Sequence, residues 1–271
     1  MTTVTAAPIA LTSTRRPARG AAITDTITIT WRNLRGMTRV PAVIVISVVQ
    51  PIIIVLTFRY VFGGAIRVPG GDYVDFLMPG IFVLAVAFGS VNTAVGLAED
   101  LHHGIIERFR SLPMAPSAVL AGRTLADAVR NVFVIVVLVL LGFLVGFDIH
   151  AGWGPFLASL GLLLLFGFAL SWVFALVGLL VPNAEAAQAA SFPVLAILVF
   201  ASTAFVPLET MPGWLQEYNE VQPVSVTVEA ARALALGGPT AGDVLKAVVC
   251  VIAIVAVFAP LAVLRYRRAS R

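Results

Sequence analysis

The sequence predicts an all-α integral membrane protein with six transmembrane helices. Of its 271 residues, 59% are hydrophobic and 12% are charged, whereas a soluble globular domain carries about 25% charged residues. Six apolar segments are long enough to cross about 30 Å of hydrocarbon, which takes roughly 20 helical residues. We expect these spans at residues 41–62, 75–98, 124–147, 153–181, 186–206 and 243–264.

The basic residues predict the orientation of the chain. Fourteen of the eighteen arginines and lysines precede the first span, lie in or near the loop between the second and third spans, or follow the last span. Basic residues near the ends of spans remain in the cytoplasm. We therefore expect a multi-pass protein of the cell membrane with both termini in the cytoplasm, which agrees with an even number of spans.

The region before the first span has two predicted parts. Residues 1–22 have the composition of a flexible cytoplasmic tail, and residues 23–38 favour a helix that lies in the membrane interface. The apolar residues of that helix recur at roughly helical spacing, at Ile23, Ile27, Trp31 and Leu34. The alternation in ITITIT also fits a short strand or coil. We expect residues 23–271 to form a single transmembrane domain.

The stretch HHGIIERFRSLPMAP, residues 102–116, interrupts two apolar runs. The charged residues around it would each cost about 2.5–3.5 kcal/mol at mid-membrane depth, so this segment lies outside the bilayer. Its apolar residues Ile105, Ile106, Phe109 and Leu112 form one stripe of a short helix. We expect Pro113 to end that helix and Pro116 to prevent an early restart. Docking to a partner protein is the favoured interpretation, and a plain connecting loop is the alternative.

Two segments resemble one transporter family. EDLHHGIIERFRSLPMAPSAVLAGR, residues 99–123, is similar to the second-loop segment of type-2 ABC exporter permeases, especially the daunorubicin-resistance branch. VQPVSVTVEAARAL, residues 221–234, resembles the outer segment before the last span of that family, with Gln222 where Asn is usual. The matching positions of the first segment are Glu99, Asp100, Gly104, Glu107, Arg108, Leu112, Pro113, Gly122 and Arg123.

The resemblance implies a specific assembly. A cytoplasmic coupling helix at about 104–112 would dock into a separate P-loop ATPase, which would bind ATP and Mg²⁺. A second permease subunit, identical or related, would complete the transporter, and two short re-entrant helices would lie on the outer side before the last span. The resemblance assigns ATPase coupling to Gly104, Ile105, Ile106, Glu107, Arg108, Phe109, Arg110 and Leu112.

Motifs of other protein classes are missing from the sequence. It contains no P-loop motif, so the chain is not expected to bind ATP through one, and it contains neither His-Glu-x-x-His nor Gly-x-Ser-x-Gly. We expect no catalytic residue, no metal site and no cofactor bound by this chain. We do not expect the chain to act as an enzyme on its own. Because the basic residues lie at span ends, they indicate contact with membrane lipid rather than nucleic acid. Asp127 and Arg130 are expected to stabilise the inner end of the third span.

A transport pathway is predicted from the aromatic and uncharged polar residues of the spans. The candidates are Asn92, Phe82, Phe88, Phe192, Phe200, Ser202 and Thr203. Such a lining suits a hydrophobic drug-like or lipid-like compound better than an ion, which needs charges or rings of carbonyl groups. Export of a polysaccharide or other polymer by the same fold is one alternative. An ion-coupled secondary transporter is another, and it would require an ionisable coupling site within the membrane.

Overall fold

The computed structural model describes residues 19–38, 41–64, 66, 68, 72–104 and 116–269. All regular secondary structure in these ranges is helical. The helices are α1 (Arg19–Thr38), α2 (Pro41–Thr57), α3 (Tyr73–His102), α4 (Pro116–Leu144), α5 (Trp153–Gly178), α6 (Ala184–Phe200), α7 (Gly213–Val221), α8 (Pro223–Leu236) and α9 (Thr240–Ala269). A π-helical turn at Phe58–Phe62 continues α2 directly.

Five of the described helical segments are long and apolar enough to cross a membrane. They are Val45–Phe62, Tyr73–His102, Ala118–Leu144, Trp153–Gly178 and Thr240–Tyr266. The remaining expected span, at residues 186–206, corresponds to α6, which is apolar but has only 17 residues. At 1.5 Å per residue α6 is about 26 Å long, slightly less than the hydrocarbon thickness of about 30 Å. The chain is therefore a multi-pass membrane protein, and the sixth crossing stays a prediction.

Helix α3 is the centre of the fold. It packs against α5, α6, α4, α8 and α2, and its side chains Leu77, Met78, Ile81 and Phe82 are almost completely buried. Such burial is compatible with a helix that is apolar on all sides. Helices α2 and α9 instead expose large apolar side chains, among them Ile53 and Ile252, as expected of helices that face lipid.

Glycine residues let the neighbours of α3 approach its backbone. A β-carbon at Gly178, near the end of α5, would lie 2.4 Å from the carbonyl oxygen of Ala94 on α3. Small residues of this kind allow close packing of helices in membranes, where contact between helices depends on van der Waals complementarity. The C-terminal end of α5 therefore lies directly on α3.

The structure corrects the expected start of the third span. Helix α4 begins at Pro116 rather than near residue 124, so Pro116 does not prevent the helix from starting. Proline is well tolerated in the first helical turn because the N–H that it lacks would have no partner there. The earlier start places Arg130 as the fifteenth of 29 residues. Asp127 and Arg130 thus lie near the middle of α4 and not at its end.

Two other boundaries differ from expectation. Helix α1 begins at Arg19, inside the segment 1–22 that was expected to be a flexible tail. Helix α6 ends at Phe200, whereas the sequence predicts a span to residue 206. After Phe200 the hydroxyl of Ser202 donates a hydrogen bond to the carbonyl of Val199, and the chain continues as turns up to Pro207.

The segment before the first span is helical, so the strand or coil alternative is wrong. Ile23, Ile27 and Trp31 are 65%, 62% and 68% exposed along one side of α1. Ile29 is buried against α4, where a β-carbon at Gly122 would lie 2.7 Å from its side chain. The exposed apolar row fits an interfacial helix, and the interfacial location itself stays a prediction.

The segment before α9 contains two short helices, α7 and α8, which meet at Gln222. Their order agrees with the predicted pair. The side chain of Gln222 makes no capping hydrogen bond at the start of α8 and instead donates to Ser225 at 2.7 Å. Whether α7 and α8 enter the membrane from the outside stays a prediction.

Candidate functional site

A cleft of about 350 Å³ lies between α2, α3, α4 and α6. This volume is within the range of pockets that hold small organic molecules. Most of its wall is apolar. The polar residues in the wall are Ser47, Gln50, Asn92, Arg130, Asn131 and Gln188, and its aromatic residues are Phe88 and Phe192.

The structure brings three of the seven predicted pathway residues together in this cleft. Phe88 and Asn92 are one helical turn apart on α3, and Phe192 faces them from α6. The residues of the wall come from four helices that are distant in sequence, so their proximity depends on the tertiary packing.

The other four pathway candidates lie outside the wall of the cleft. Phe82 is buried, with its ring edge-on to Phe147 at 6.1 Å between centroids. Phe200 is exposed at the end of α6. Ser202 and Thr203 are buried in the turn after α6, where the Thr203 N–H donates a hydrogen bond to Ser225.

Asp127 and Arg130 form a buried ion pair beside the cleft. They are three residues apart on α4, and 3.0 Å separates Oδ1 of Asp127 from Nη1 of Arg130. Asp127 is 1% and Arg130 is 5% exposed. The hydroxyl of Thr93 on α3 donates a hydrogen bond to Oδ2 of Asp127, so both carboxylate oxygens have partners.

The guanidinium of Arg130 reaches the backbone of α3. Its Nη2 donates to the carbonyl oxygen of Gly89 at 2.5 Å and lies 3.4 Å from Oδ1 of Asn131. Gly89 makes this approach possible, since a β-carbon there would lie 2.4 Å from the Asn131 oxygen. Nε of Arg130 is buried without a hydrogen-bond acceptor, and Nη1 has the ionic contact with Asp127 but no directed hydrogen bond.

Sequence reasoning missed Arg130 as a cleft residue because it placed that residue near the inner end of a span, and it did not select Asn131 as a pathway residue. The signal that could have found them is the helix start. Once Pro116 is accepted in the first turn of α4, an aspartate, an arginine and an asparagine fall near the middle of a long apolar helix. Ionisable residues at such positions usually face the protein interior or a cavity.

The predicted coupling segment lies mostly outside the described residues. Ile105, Ile106, Glu107, Arg108, Phe109, Arg110 and Leu112 all belong to the range 105–115, which the structure does not describe. Gly104 is described: it follows α3 with φ of 65°, a left-handed conformation that glycine adopts readily.

A charged cluster lies immediately before this segment. Asp100 accepts a hydrogen bond from Nη1 of Arg123 at 2.8 Å, and Nη2 of Arg32 lies 3.7 Å from its other oxygen. These three residues come from α3, α4 and α1. The cluster therefore joins the N-terminal helix to both helices that flank the predicted coupling segment.

A second buried arginine, Arg232 on α8, holds the opposite end of α3. It donates hydrogen bonds to the carbonyl oxygens of Phe76 and Thr203, both at 3.1 Å, and to Glu229 at 2.7 Å. Its guanidinium lies 3.6 Å above the centre of the Phe76 ring. Burial lowers the pKa of Arg232, and the neighbouring Glu229 opposes that effect. Arg232 thus fixes α8 to α3 and to the turn after α6.

Across the part of the chain that the structure describes, no cluster of three or more His, Cys, Asp or Glu side chains could hold a metal ion. The buried polar groups are instead arranged in hydrogen-bonded networks that join helices.

Comparison with known proteins gives concordant matches over nearly the whole chain. Residues 24–236 match the ABC-2 type transporter family. The chain is 39% identical over 258 residues to the daunorubicin resistance ABC transporter permease protein DrrB1 of Streptomyces coeruleorubidus, covering 95% of this chain and 91% of the relative. It is 30% identical over 275 residues to the probable doxorubicin resistance ABC transporter permease protein DrrC of Mycobacterium tuberculosis, covering 100% and 99%.

A more distant match is the putative transport permease ycf38 of Cyanophora paradoxa. It is 27% identical over 203 residues, covering 72% of this chain and 69% of the relative. The stretch that matches the family model includes the cleft, the Asp127–Arg130 pair and the short helices α7 and α8.

Proposed function

The chain belongs to the ABC-2 type transporter family, and from that premise we propose that it exports a hydrophobic drug-like or lipid-like compound from the cell. It would do so as the permease subunit of a complex with a separate P-loop ATPase, which binds ATP and Mg²⁺, and with a second permease subunit. In this proposal the chain crosses the cell membrane six times, with α6 as the fifth span, and both termini are cytoplasmic.

The observation that carries the substrate class is the cleft between α2, α3, α4 and α6. Its mainly apolar wall, with two phenylalanine rings and scattered amide groups, suits one drug-sized amphiphile. Two relatives are named as daunorubicin and doxorubicin resistance permeases. A polymer would require a longer and more polar groove than this cleft provides.

Energy would enter at the segment 104–112. The chain turns at Gly104 directly after α3, and α4 begins at Pro116. Because α3 and α4 both line the cleft, a push on the segment between them would reach the cleft through two rigid helices. Asp100, held by Arg123 and Arg32, would transmit the same movement to α1.

Reconstitution tests this function. The chain and its co-purified ATPase are placed in proteoliposomes, and ATP-dependent transport of daunorubicin is followed by fluorescence. We expect the double variant Glu107→Ala with Phe109→Ala to lose about 90% of the transport and of the substrate-stimulated ATP hydrolysis, since it removes the charged and the bulky groups of the docking face. His102→Ala, at an exposed neighbouring residue, is the matched control.

Two results would contradict the proposal. If the double variant retained both substrate-stimulated ATP hydrolysis and co-purification of the ATPase, segment 104–112 would not be the coupling helix. If the chain alone transported daunorubicin in response to an ion gradient without ATP, it would be a secondary transporter, with the buried Asp127–Arg130 pair as its ionisable site.

A further inference from the structure

We propose that the stacked rings of Phe58 and Phe205 form an outer gate, and that these rings must separate before the contents of the cleft can leave the protein. The proposal rests on the proposed function, which places the C-terminal ends of α2 and α6 on the outer side of the membrane. Both helices line the cleft. The two rings meet beyond it, between the end of α2 and the chain that follows α6.

The gate is a close aromatic contact between two segments that are distant in sequence. Phe58 is the first residue of the π-helical turn that continues α2. Its ring stacks on that of Phe205 with 4.4 Å between centroids and 16° between planes. Phe200, the last residue of α6, extends the stack, with its ring centroid 6.0 Å from that of Phe205. Stacked rings stabilise such a contact beyond the burial of their surfaces.

The gate lies further along both helices than the cleft. Pro51 of α2 lines the cleft, and Phe58 follows it by seven residues, which is two helical turns or about 10 Å along the helix axis. Residues two turns apart lie on the same side of a helix. Leu195 of α6 also lines the cleft and precedes Phe200. The C-terminal ends of α2 and α6 therefore approach each other beyond the cleft, at the aromatic stack.

The Phe205 side of the gate is fixed to the core of the protein. The hydroxyl of Tyr73, at the start of α3, donates a hydrogen bond to the carbonyl oxygen of Phe205 at 3.3 Å. Two residues earlier, the carbonyl oxygen of Thr203 accepts a hydrogen bond from Arg232 at 3.1 Å. Phe205 itself is only 6% exposed. The turn after α6 is thus held against α3 and α8 independently of Phe58.

The Phe58 side is held much less firmly. Among the five candidate spans of the described chain, the one that contains α2 is the least buried, at 11% compared with 83% for α3. Phe58 also lies in a π-helical turn, whose hydrogen-bond pattern is rare and is frequently found at functional sites. Because one side is anchored and the other is peripheral, opening of the gate would move the outer end of α2 away from a stationary Phe205.

Access to the cleft from outside the cell tests the gate without a transport measurement. Cys250 is the single cysteine of the sequence, so a Cys250→Ala chain provides a background without thiols. Val91→Cys places one reporter thiol in the cleft wall. The full chain is expressed with its ATPase in intact cells, which are then depleted of ATP. The measured quantity is the rate at which a membrane-impermeant maleimide labels the reporter.

Loss of the Phe58 ring should open the cleft to the outside. Phe58→Ala should raise the labelling rate about tenfold, which corresponds to about 1.4 kcal/mol, as much as one aromatic pair contributes. Phe58→Leu keeps the apolar bulk without the ring and should raise the rate about threefold. Tyr60→Ala is the matched control, because it removes a ring of the same π-helical turn that is 72% exposed. Its labelling rate should equal that of the parent chain.

A second experiment holds the gate closed. Phe58→Cys and Phe205→Cys are combined in the Cys250→Ala background and joined by a short, reversible thiol cross-linker. In proteoliposomes with the ATPase, the cross-linked chain should lose about 90% of ATP-driven daunorubicin export, as expected when a conformational opening limits release. Reduction of the cross-link should restore export. Each single cysteine variant, treated with the same reagent, should export at its untreated rate.

Two results would overturn the gate: a labelling rate that neither Phe58→Ala nor Phe58→Leu raises, or a cross-linked chain that exports as fast as the reduced one. If Phe58→Ala does not reach the membrane, the labelling rate of Phe58→Leu decides. Failure of both gate tests while the unmodified chain exports daunorubicin with ATP removes only this inference. If the labelling rates change as expected but no chain exports daunorubicin with ATP, the proposed function is lost instead.

Discussion

Neutralising one member of the Asp127–Arg130 pair should destabilise the protein far more than neutralising both. The perturbation is a cycle of changes that remove charge: Asp127→Asn, Arg130→Gln and the two combined. Each single variant leaves one formal charge buried near the middle of α4 without its partner at 3.0 Å. The double variant leaves two uncharged amides, which can hydrogen-bond with each other and with Thr93.

The expected magnitudes follow from the burial of the pair. Both residues are at least 95% buried, and removal of one partner of a buried ion pair costs about 3–5 kcal/mol. If the two sites were independent, the double variant would lose at least about 6 kcal/mol of unfolding free energy. Because replacement of a whole buried pair is often nearly neutral, we expect a loss of about 2 kcal/mol or less, and hence a coupling energy of about 4 kcal/mol.

The assay is reversible unfolding in mixed micelles of increasing dodecyl sulfate content, followed by the helical circular dichroism signal. All four chains are measured at the same protein concentration and ionic strength. Two results would refute the reasoning: single variants within about 1 kcal/mol of the wild type, or a double variant that loses the sum of the single losses. The first would mean that water reaches the pair, and the second that the two charges do not interact.

Three further outcomes are expected in the same assay. Gly178→Ala should lower the free energy of unfolding by about 2 kcal/mol, because its β-carbon would lie 2.4 Å from the carbonyl oxygen of Ala94. Gly161→Ala on the same helix meets nothing within 4 Å and should be neutral or slightly stabilising. Equal losses for the two variants would contradict the close approach of α3 and α5. Arg232→Gln should lower the free energy of unfolding by about 2–3 kcal/mol, because it leaves the carbonyl oxygens of Phe76 on α3 and of Thr203 in the turn after α6 unpaired. An unchanged unfolding midpoint would contradict the role of Arg232 in joining these segments. Asp100→Asn should lower the free energy of unfolding by only about 1 kcal/mol, since the partners of Asp100 are partly exposed. High salt should reduce this difference from the wild type. A difference that is independent of salt would argue against an electrostatic origin.

Much of the fold was predictable because hydropathy reports directly on membrane spans. The expected bounds of the first span coincide with α2 and its π-helical turn, and the helical nature of α1 follows from its apolar spacing. The prediction of an ABC exporter permease is confirmed by the family match and by the similar permeases. These properties depend on local composition and on motifs that are contiguous in sequence.

The candidate site was less predictable because it depends on how helices pack. Phe82 and Phe88 are both phenylalanines on α3, yet one is in the protein core and the other lines the cleft. Ser202 and Thr203 were selected as polar residues within a span, but α6 ends before them. Arg130 was placed near a span end because a proline was read as a barrier to the helix. For the two phenylalanines the decisive information is the packing of neighbouring helices, and for the other three residues it is where a helix begins or ends.

The central position of α3 has a consequence for how the protein is made. During synthesis α3 enters the bilayer before α4. The Thr93 hydroxyl can therefore form its hydrogen bond to Asp127 only after α4 has inserted. Helix α4 carries Asp127 and Arg130 one turn apart, and their mutual neutralisation reduces the cost of inserting either charge. The two charges would thus enter the membrane together as a neutral pair. Once both helices are in the bilayer, the hydrogen bond between Thr93 and Asp127 would hold α4 against α3.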